Sequence, residues 1–210
     1  MSVFFDIESI AFNIWNYPLS YVELIGTLFG LLSVFYASKA NILTWPSGVI
    51  NELFLFILFF QVQLYADMFL QVYFFIVTLY GWFHWNSKTT ESRITTLRRK
   101  SLVITIFLIL LLSLPAGFMV QNLHVYMPQH FKMPAAFPYV DSLVMVGSIA
   151  ATLLLSRKRL DNWYFWIAID LICVVLYSVK GIYFLALEYL VFLGMAIYGL
   201  LYWKKQVSND

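Results

Sequence analysis

Long apolar runs separated by short polar breaks occupy nearly the whole chain. Seven of them stand out, at roughly Tyr21–Ala37, Trp45–Phe60, Asp67–Trp85, Ser101–Val120, Tyr139–Ser156, Trp163–Ser178 and Tyr183–Trp203. A helix needs about 20 apolar residues to cross a hydrocarbon layer about 30 Å thick, and each run meets or approaches that length. Composition reinforces the pattern. The chain is 62% hydrophobic and 20% aromatic, with a mean hydropathy of +0.80, which leaves too little polar surface to clothe a soluble domain. The fold class expected is an all-α integral membrane protein with seven transmembrane helices, since a helix satisfies its own backbone in lipid.

Charge sets the expected topology, because basic residues accumulate in cytoplasmic loops. With the N-terminus outside, the inner connections carry Lys39, then Lys88, Arg93, Arg98, Arg99 and Lys100, then Arg157, Lys158 and Arg159, and the tail carries Lys204 and Lys205. Eleven of the thirteen basic residues fall inside, and only Lys132 and Lys180 fall outside. The segments expected are an outer-face N-terminal stretch (1–20), a three-helix bundle (21–86), a basic cytoplasmic loop with a linker helix (87–120), an outer loop (121–138), a second three-helix bundle (139–203) and a cytoplasmic tail (204–210). No basic n-region opens the chain, so no cleavable signal peptide is expected. Val3–Trp15 reads as a short amphipathic surface helix or as a disordered tail. The single cysteine, Cys173, lies mid-span and has no internal disulfide partner.

The chain repeats itself at an offset of 118. Leu79-Tyr80-Gly81-Trp82-Phe83-His84-Trp85 matches Ile197-Tyr198-Gly199-Leu200-Leu201-Tyr202-Trp203, and the same offset pairs Trp45 with Trp163, Glu52 with Asp170, Tyr65 with Tyr183, and Ser38-Lys39 with Ser156-Arg157. The unit is therefore three helices. Three is odd, so a fourth, linking span restores the direction and makes the repeat parallel, about an axis along the membrane normal. This 3+1+3 plan is that of SWEET-type transporters, whose parallel repeats hold substrate near the midplane.

Polar groups inside spans mark where chemistry is expected. A buried acid costs about 2.5–3.5 kcal/mol on insertion scales, so it faces a cavity or a partner. Glu52 and Asp170 are repeat-equivalent and would aim at one central space, or each would bond a neighbouring Tyr or Trp. Glu188 reads either as a gate or site residue or as the surface partner of Lys180. Glu23, at the outer end of the first span, reads as interfacial. Trp166 precedes Asp170 by four residues and shares its helix face. An indole beside a carboxylate suits a flat cationic ring, with a cation–π contact worth roughly 0.5–2 kcal/mol and charge-assisted hydrogen bonding from the acid. Tyr177 could join that face, as could Trp163 unless it anchors the interface. Asn51 and Gln71 lie deep enough to contact ligand, while Gln61 and Gln63 suit helix ends at the outer surface. Pro46-Ser47-Gly48 invites a bend. The substrate-binding candidates are thus Trp166, Asp170, Asn51, Glu52, Gln71, Trp45, Tyr177 and Glu188; no catalytic residue, metal or cofactor is expected.

Other classes fit less well. His84, His124 and His130 do not form an H-E-x-x-H pair, and neither G-x-S-x-G nor a P-loop occurs. A pore would line its full length with polar residues, whereas these cluster at mid-depth. A binding subunit docked to an ATPase would co-purify with one. A net charge of +2, with basic residues flanking helices, points to the lipid bilayer as partner and not to nucleic acid.

Trp45-Pro46-Ser47-Gly48-Val49-Ile50-Asn51, Gln63-Leu64-Tyr65-Ala66, Gln71-Val72-Tyr73-Phe74, Tyr80-Gly81-Trp82 and Trp85 resemble the PnuC family of bacterial vitamin transporters. Arg157-Lys158-Arg159, Asn162-Trp163, Trp166 and Gly181-Ile182-Tyr183 extend the resemblance over about residues 20–205. The resemblance implies a SWEET-like fold, a homotrimer in the bacterial inner membrane, and facilitated diffusion of a vitamin that phosphorylation then traps inside. Nicotinamide riboside members carry Trp-x-x-x-Asn on the sixth helix; here the matching residues are Trp166 and Asp170. The acid favours thiamine (vitamin B1), whose aminopyrimidine donates to a carboxylate and whose thiazolium balances it. Nicotinamide riboside is the alternative. For the orientation, a fluorescent protein fused after Asp210 is expected to be bright and alkaline phosphatase at the same point inactive; the opposite pattern would invert the topology.

Overall fold

A computed structural model describes residues 5–14, 17–61, 65–87, 93–129, 134–181 and 183–209. The expectations placed on Gln63, Lys88, His130 and Lys132 lie outside them. Those residues form seven helices: α1 (Tyr21–Ser38), α2 (Thr44–Gln61), α3 (Tyr65–Asn86), α4 (Arg99–Tyr126), α5 (Pro138–Ser156), α6 (Asn162–Val179) and α7 (Tyr183–Asn209). By length and composition, α1, α4, α5, α6 and Leu185–Val207 of α7 can cross a membrane, and the chain is a multi-pass membrane protein. The first half of α2 carries Pro46, Asn51 and Glu52, and α3 carries Gln71 and His84.

The N-terminal segment departs from the expected surface helix or tail. It forms an antiparallel hairpin of β1 (Ile10–Ile14) and β2 (Tyr17–Ser20), with a register shift between Ile10 and Phe12. Alternation of Ile10, Phe12 and Ile14 with smaller residues suits a strand, a period that a search for helical amphipathicity overlooks. The Gln61 side chain mimics a strand edge for the segment before the hairpin. It accepts from the Ile7 N–H at 3.1 Å and donates to the Phe5 carbonyl at 2.6 Å, while Phe5 stacks on Phe54. Ser20 caps α1 by accepting from the Glu23 N–H at 3.2 Å, the start of a capping box. Tyr17 donates to Glu23 at 2.8 Å. Burial, then this hydrogen bond and the acid's charge, push the Tyr17 phenol up to about 12.

The chain divides into two compact units. One is Met1–Arg93 with Leu155–Lys158 and Tyr198–Asp210; the other is Ile94–Leu154 with Arg159–Ile197.

Helix starts recur at the 118-residue offset to within one residue, α1 against α5, α2 against α6 and α3 against α7; the ends of the first two pairs recur as well, while α7 runs on to Asn209 past the position that matches Asn86. So does the corner after the first helix of each set. Ala40 and Lys158 both adopt φ of +50°. The Ala40 and Asn41 N–H groups reach back to Ala37 and Tyr36, and the Lys158 and Arg159 N–H groups reach back to Leu155 and Leu154, all at 2.9 Å. These are the two bonds of a Schellman cap, held twice without the usual glycine at a cost of about 1–2 kcal/mol each. Pro46 sits in the first turn of α2, where its missing N–H is tolerated, and α2 continues unbroken to Gln61.

In the first unit the ends of these helices are joined by indoles. Trp85 of α3 donates to the Ser156 carbonyl at the end of α5, and Trp203 of α7 donates to the Ala37 carbonyl at the end of α1, each at 3.1 Å. The two rings lie 6.2 Å apart, and Trp45 meets Trp85 edge-on at 5.1 Å. Lys158 sits over Trp85 at 4.7 Å, and burial holds its ammonium below the ordinary lysine range. Trp45 fits because position 81 is glycine: a Cβ there would lie 2.3 Å from the indole.

In the second unit α4 and α5 approach through Gly117, where a Cβ would meet Tyr139 at 2.3 Å. The loop before α4 is pinned by the Leu97 N–H donating to Asp161 at 2.6 Å and by Arg159 donating to Thr95 at 2.8 Å.

Gly81→Ala is expected to cost about 1–3 kcal/mol through overpacking. Trp203→Phe, which keeps an aromatic ring but removes the second of the two donors to the Ala37 carbonyl, the first being the Ala40 N–H, is expected to cost about 1 kcal/mol. Thermal melting of the solubilised protein checks both; unchanged midpoints would remove the clasp as a stabilising element.

Candidate functional site

Candidate residues from the sequence separate by unit. In the first, Asn51 and Glu52 are neighbours, so a helix turns them about 100° apart. Asn51 donates to the Gly26 carbonyl of α1 at 2.8 Å. The contact is close because position 30 is also glycine, whose added Cβ would lie 2.9 Å from the amide nitrogen. Asn51 therefore joins α1 to α2. Glu52, 7% exposed, faces α3 instead. Its Oε1 accepts from the Thr78 hydroxyl at 2.5 Å, and its buried Oε2 has no hydrogen-bond partner among the described residues. Trp45 is 2% exposed and wedged at Gly81 within the indole cluster. Gln71 is buried in α3.

In the second unit, Ala151, Ile169 and Cys173 form a buried core against which Val144, Phe165, Trp166, Tyr177 and Tyr189 pack. Trp166 and Tyr177 are thus brought together. Asp170, one turn from Trp166, is 3% exposed and accepts no hydrogen bond from the described residues. Its charge acts on Cys173 and on Tyr189, which places the carboxylate in this aromatic neighbourhood. Tyr177 and Tyr189 stack with centroids 5.3 Å apart and planes 14° from parallel. Glu188 is half-buried beside Tyr189 and acts on it electrostatically.

Three assignments change. Lys180 donates to Asp141 of α5 at 3.1 and 3.4 Å, an acid the sequence reading passed over because it lies in a first helical turn. Trp163 is 1% exposed and does not sit at an interface as an anchor. Tyr189, one residue past Glu188, belongs to the aromatic set around Asp170 and was missed; the offset pairs it with Gln71, so the repeat gave no aromatic match to flag it. Thr78, the donor to Glu52, was missed for a similar reason: its counterpart is Ala196, and no repeated motif covers it.

Chemically, the second unit offers an acid without a donor among the described residues, on the helix whose Trp166 and Tyr177 pack with Tyr189 on one core. Such a surface suits a flat, positively charged ring.

The family model described as nicotinamide mononucleotide transporter matches residues 20–205. The nicotinamide riboside transporter PnuC of Escherichia coli (strain K12) is 35% identical over 225 residues, covering 95% of this chain and 93% of that protein. The riboflavin/roseoflavin transporter RibM of Streptomyces davaonensis is 22% identical, covering 97% and 94%. A crystal structure of the vitamin B3 transporter PnuC shares the fold, with a TM-score of 0.64 at 20% identity over 90% of this chain and 83% of that one. These relatives are membrane transporters, not enzymes. From end to end of its helical region, this chain belongs to the nicotinamide mononucleotide transporter family.

Proposed function

We propose that the protein carries nicotinamide riboside into the cell by facilitated diffusion. The observation that carries the proposal is Asp170, 3% exposed, accepting no hydrogen bond among the described residues, and set on α6 between Ile169 and Cys173 of the core against which Trp166, Tyr177 and Tyr189 pack. A pyridinium nucleoside supplies the flat ring for the aromatic groups and the positive charge for the acid. Identity of 35% across nearly the whole chain with a protein named a nicotinamide riboside transporter favours this ligand. It moves the preference away from thiamine, which rested on one acid in place of one amide.

Thiamine stays as a second reading because of that acid. An asparagine can serve a neutral carboxamide from both its edges; Asp170 offers only acceptors when ionised, which suits the aminopyrimidine amine. Riboflavin, uncharged, gains least.

The rest of the proposal follows the same reading. The helices form a SWEET-like 3+1+3 bundle, supported by helix bounds and Schellman corners that recur at 118 residues. The N-terminus is outside and the C-terminus inside the bacterial inner membrane, supported by the basic residues of the inner connections. The protein works as a homotrimer, uptake needs no coupled ion, and intracellular phosphorylation keeps it running downhill.

Uptake of radiolabelled nicotinamide riboside, thiamine and riboflavin into proteoliposomes tests these statements. Nicotinamide riboside is expected to equilibrate without exceeding the outside concentration, and to accumulate only when a kinase and ATP are enclosed. Asp170→Asn is expected to reduce thiamine uptake more than nicotinamide riboside uptake. Faster thiamine than nicotinamide riboside entry would make thiamine the substrate, and accumulation driven by an ion gradient would end the facilitated-diffusion reading.

A further inference from the structure

The two repeat-equivalent acids are not equivalent in what they touch, and the difference traces to one pair of residues. In the first unit, Trp45 meets Trp85 at 5.1 Å and Glu52 meets Thr78 at 2.5 Å. Along α2 the step from Trp45 to Glu52 is seven residues, and along antiparallel α3 the step from Trp85 back to Thr78 is also seven. Seven residues are nearly two turns, so both contacts lie on one seam. The same rule applies to α6 and α7 in the second unit. Tyr177 stacks on Tyr189, and seven residues back along α6 and onward along α7 lead to Asp170 and Ala196. Both are buried, at 3% and 1% exposure. The 118-residue offset gives the same match independently: Asp170 answers Glu52, and Ala196 answers Thr78.

Position 78 supplies a hydroxyl donor; position 196 supplies a methyl group. A hydroxyl bonded to a carboxylate occupies one lone pair and disperses its charge, so that acid has less to offer a ligand. Without a donor, a buried carboxylate keeps its full demand for a positive partner.

We infer that Thr78 and Ala196 decide which acid reads the substrate: Thr78 retains Glu52 as a fixed tie between α2 and α3, and Ala196 leaves Asp170 free to take the cationic ring. This rests on the transport reading above, and it makes recognition asymmetric within a symmetric repeat. The ligand class selected is a flat aromatic cation with Asp170 as its counter-charge.

The test uses the full chain in lipid nanodiscs, with tryptophan quenching by nicotinamide riboside, thiamine and riboflavin, and with thermal melting as a readout that needs no ligand. Ala196→Ser, which adds only a hydroxyl, is expected to weaken binding of the two cationic ligands about tenfold, as a hydrogen bond to a charged group is worth, and to leave riboflavin binding within about twofold. Asp170→Asn is expected to weaken thiamine binding about tenfold and nicotinamide riboside binding less, because an amide still serves the carboxamide, and Ala196→Ser added to Asp170→Asn is expected to do no further harm, since the two act through one interaction. Glu52→Gln, which still accepts from Thr78, is expected to weaken binding far less than Asp170→Asn. Thr78→Ala is expected to lower the melting temperature and Thr78→Ser to restore it. Equal losses from Glu52→Gln and Asp170→Asn, or an unchanged cation affinity in Ala196→Ser, would overturn the inference. Should the wild type bind none of the three vitamins, the transport reading fails instead. The inference is then judged on melting alone: a midpoint unmoved by Thr78→Ala overturns it, and a drop rescued by Thr78→Ser upholds the fixed tie.

Discussion

Two indole N–H groups hold the first unit together at a place where helices otherwise end in bare carbonyls. The last turn of any helix leaves carbonyl oxygens without intrahelical partners, and a membrane protein has little water with which to satisfy them. Trp85 and Trp203 answer that need reciprocally, each reaching the end of a helix from the other repeat. The Schellman corner at Lys158 satisfies the Leu154 and Leu155 carbonyls, and the one at Ala40 satisfies that of Tyr36 and shares that of Ala37 with Trp203. Glycine at position 81 lets Trp45 complete the ring cluster. Trp85 and Trp203 are therefore constrained by hydrogen bonding as well as by packing, whereas Trp45 is held by packing.

The same demand for satisfaction sorts the buried polar side chains. Asn51 and Glu52 are adjacent in sequence and sit on different helix faces, so each finds a different neighbour, Gly26 and Thr78. Both thereby become ties between helices. Asp170 finds no such donor. An unassisted acid inside a span is costly, and Asp170 lies between Ile169 and Cys173 of a buried core against which Trp166, Tyr177 and Tyr189 pack. The contrast between Glu52 and Asp170 is therefore energetic before it is functional.

Much of the helical plan was legible in the sequence because it rests on period and length. The runs of apolar residues gave the helices, and the 118-residue offset, found from Trp45 and Trp163 or from Tyr80-Gly81 and Tyr198-Gly199, anticipated helix bounds that recur in the structure. Trp166, Asp170 and Tyr177 could be grouped because helical spacing places i and i+4 on one face. What was not legible depends on contacts between elements. Asn51 looked like a ligand contact, since nothing in one helix reveals that Gly26 and Gly30 open a path to it on the next. Thr78, Asp141 and Tyr189 act across helix pairs, where register between elements, not composition, decides the partner. The N-terminal hairpin was missed because its apolar residues alternate over only five positions, too short a stretch to outweigh the helical reading.

Leaving an acid without a donor has a consequence for turnover. Part of what a cationic ligand gains at Asp170 is relief of a carboxylate already stripped of water, so affinity comes partly from the cost of the empty state. An asparagine at that position would make the empty site cheaper and the cation less tightly held. A carrier, however, must release what it binds, and sites that favour their ligand too strongly slow passage. A single acid among aromatic rings meets both demands: it attracts a ring that carries charge, and it provides one strong counter-charge where two would hold the ligand. In the proposed reading Glu52, held on Thr78, stays a tie between α2 and α3, so the attraction that must later be undone rests on Asp170, and one acid is released more readily than a pair.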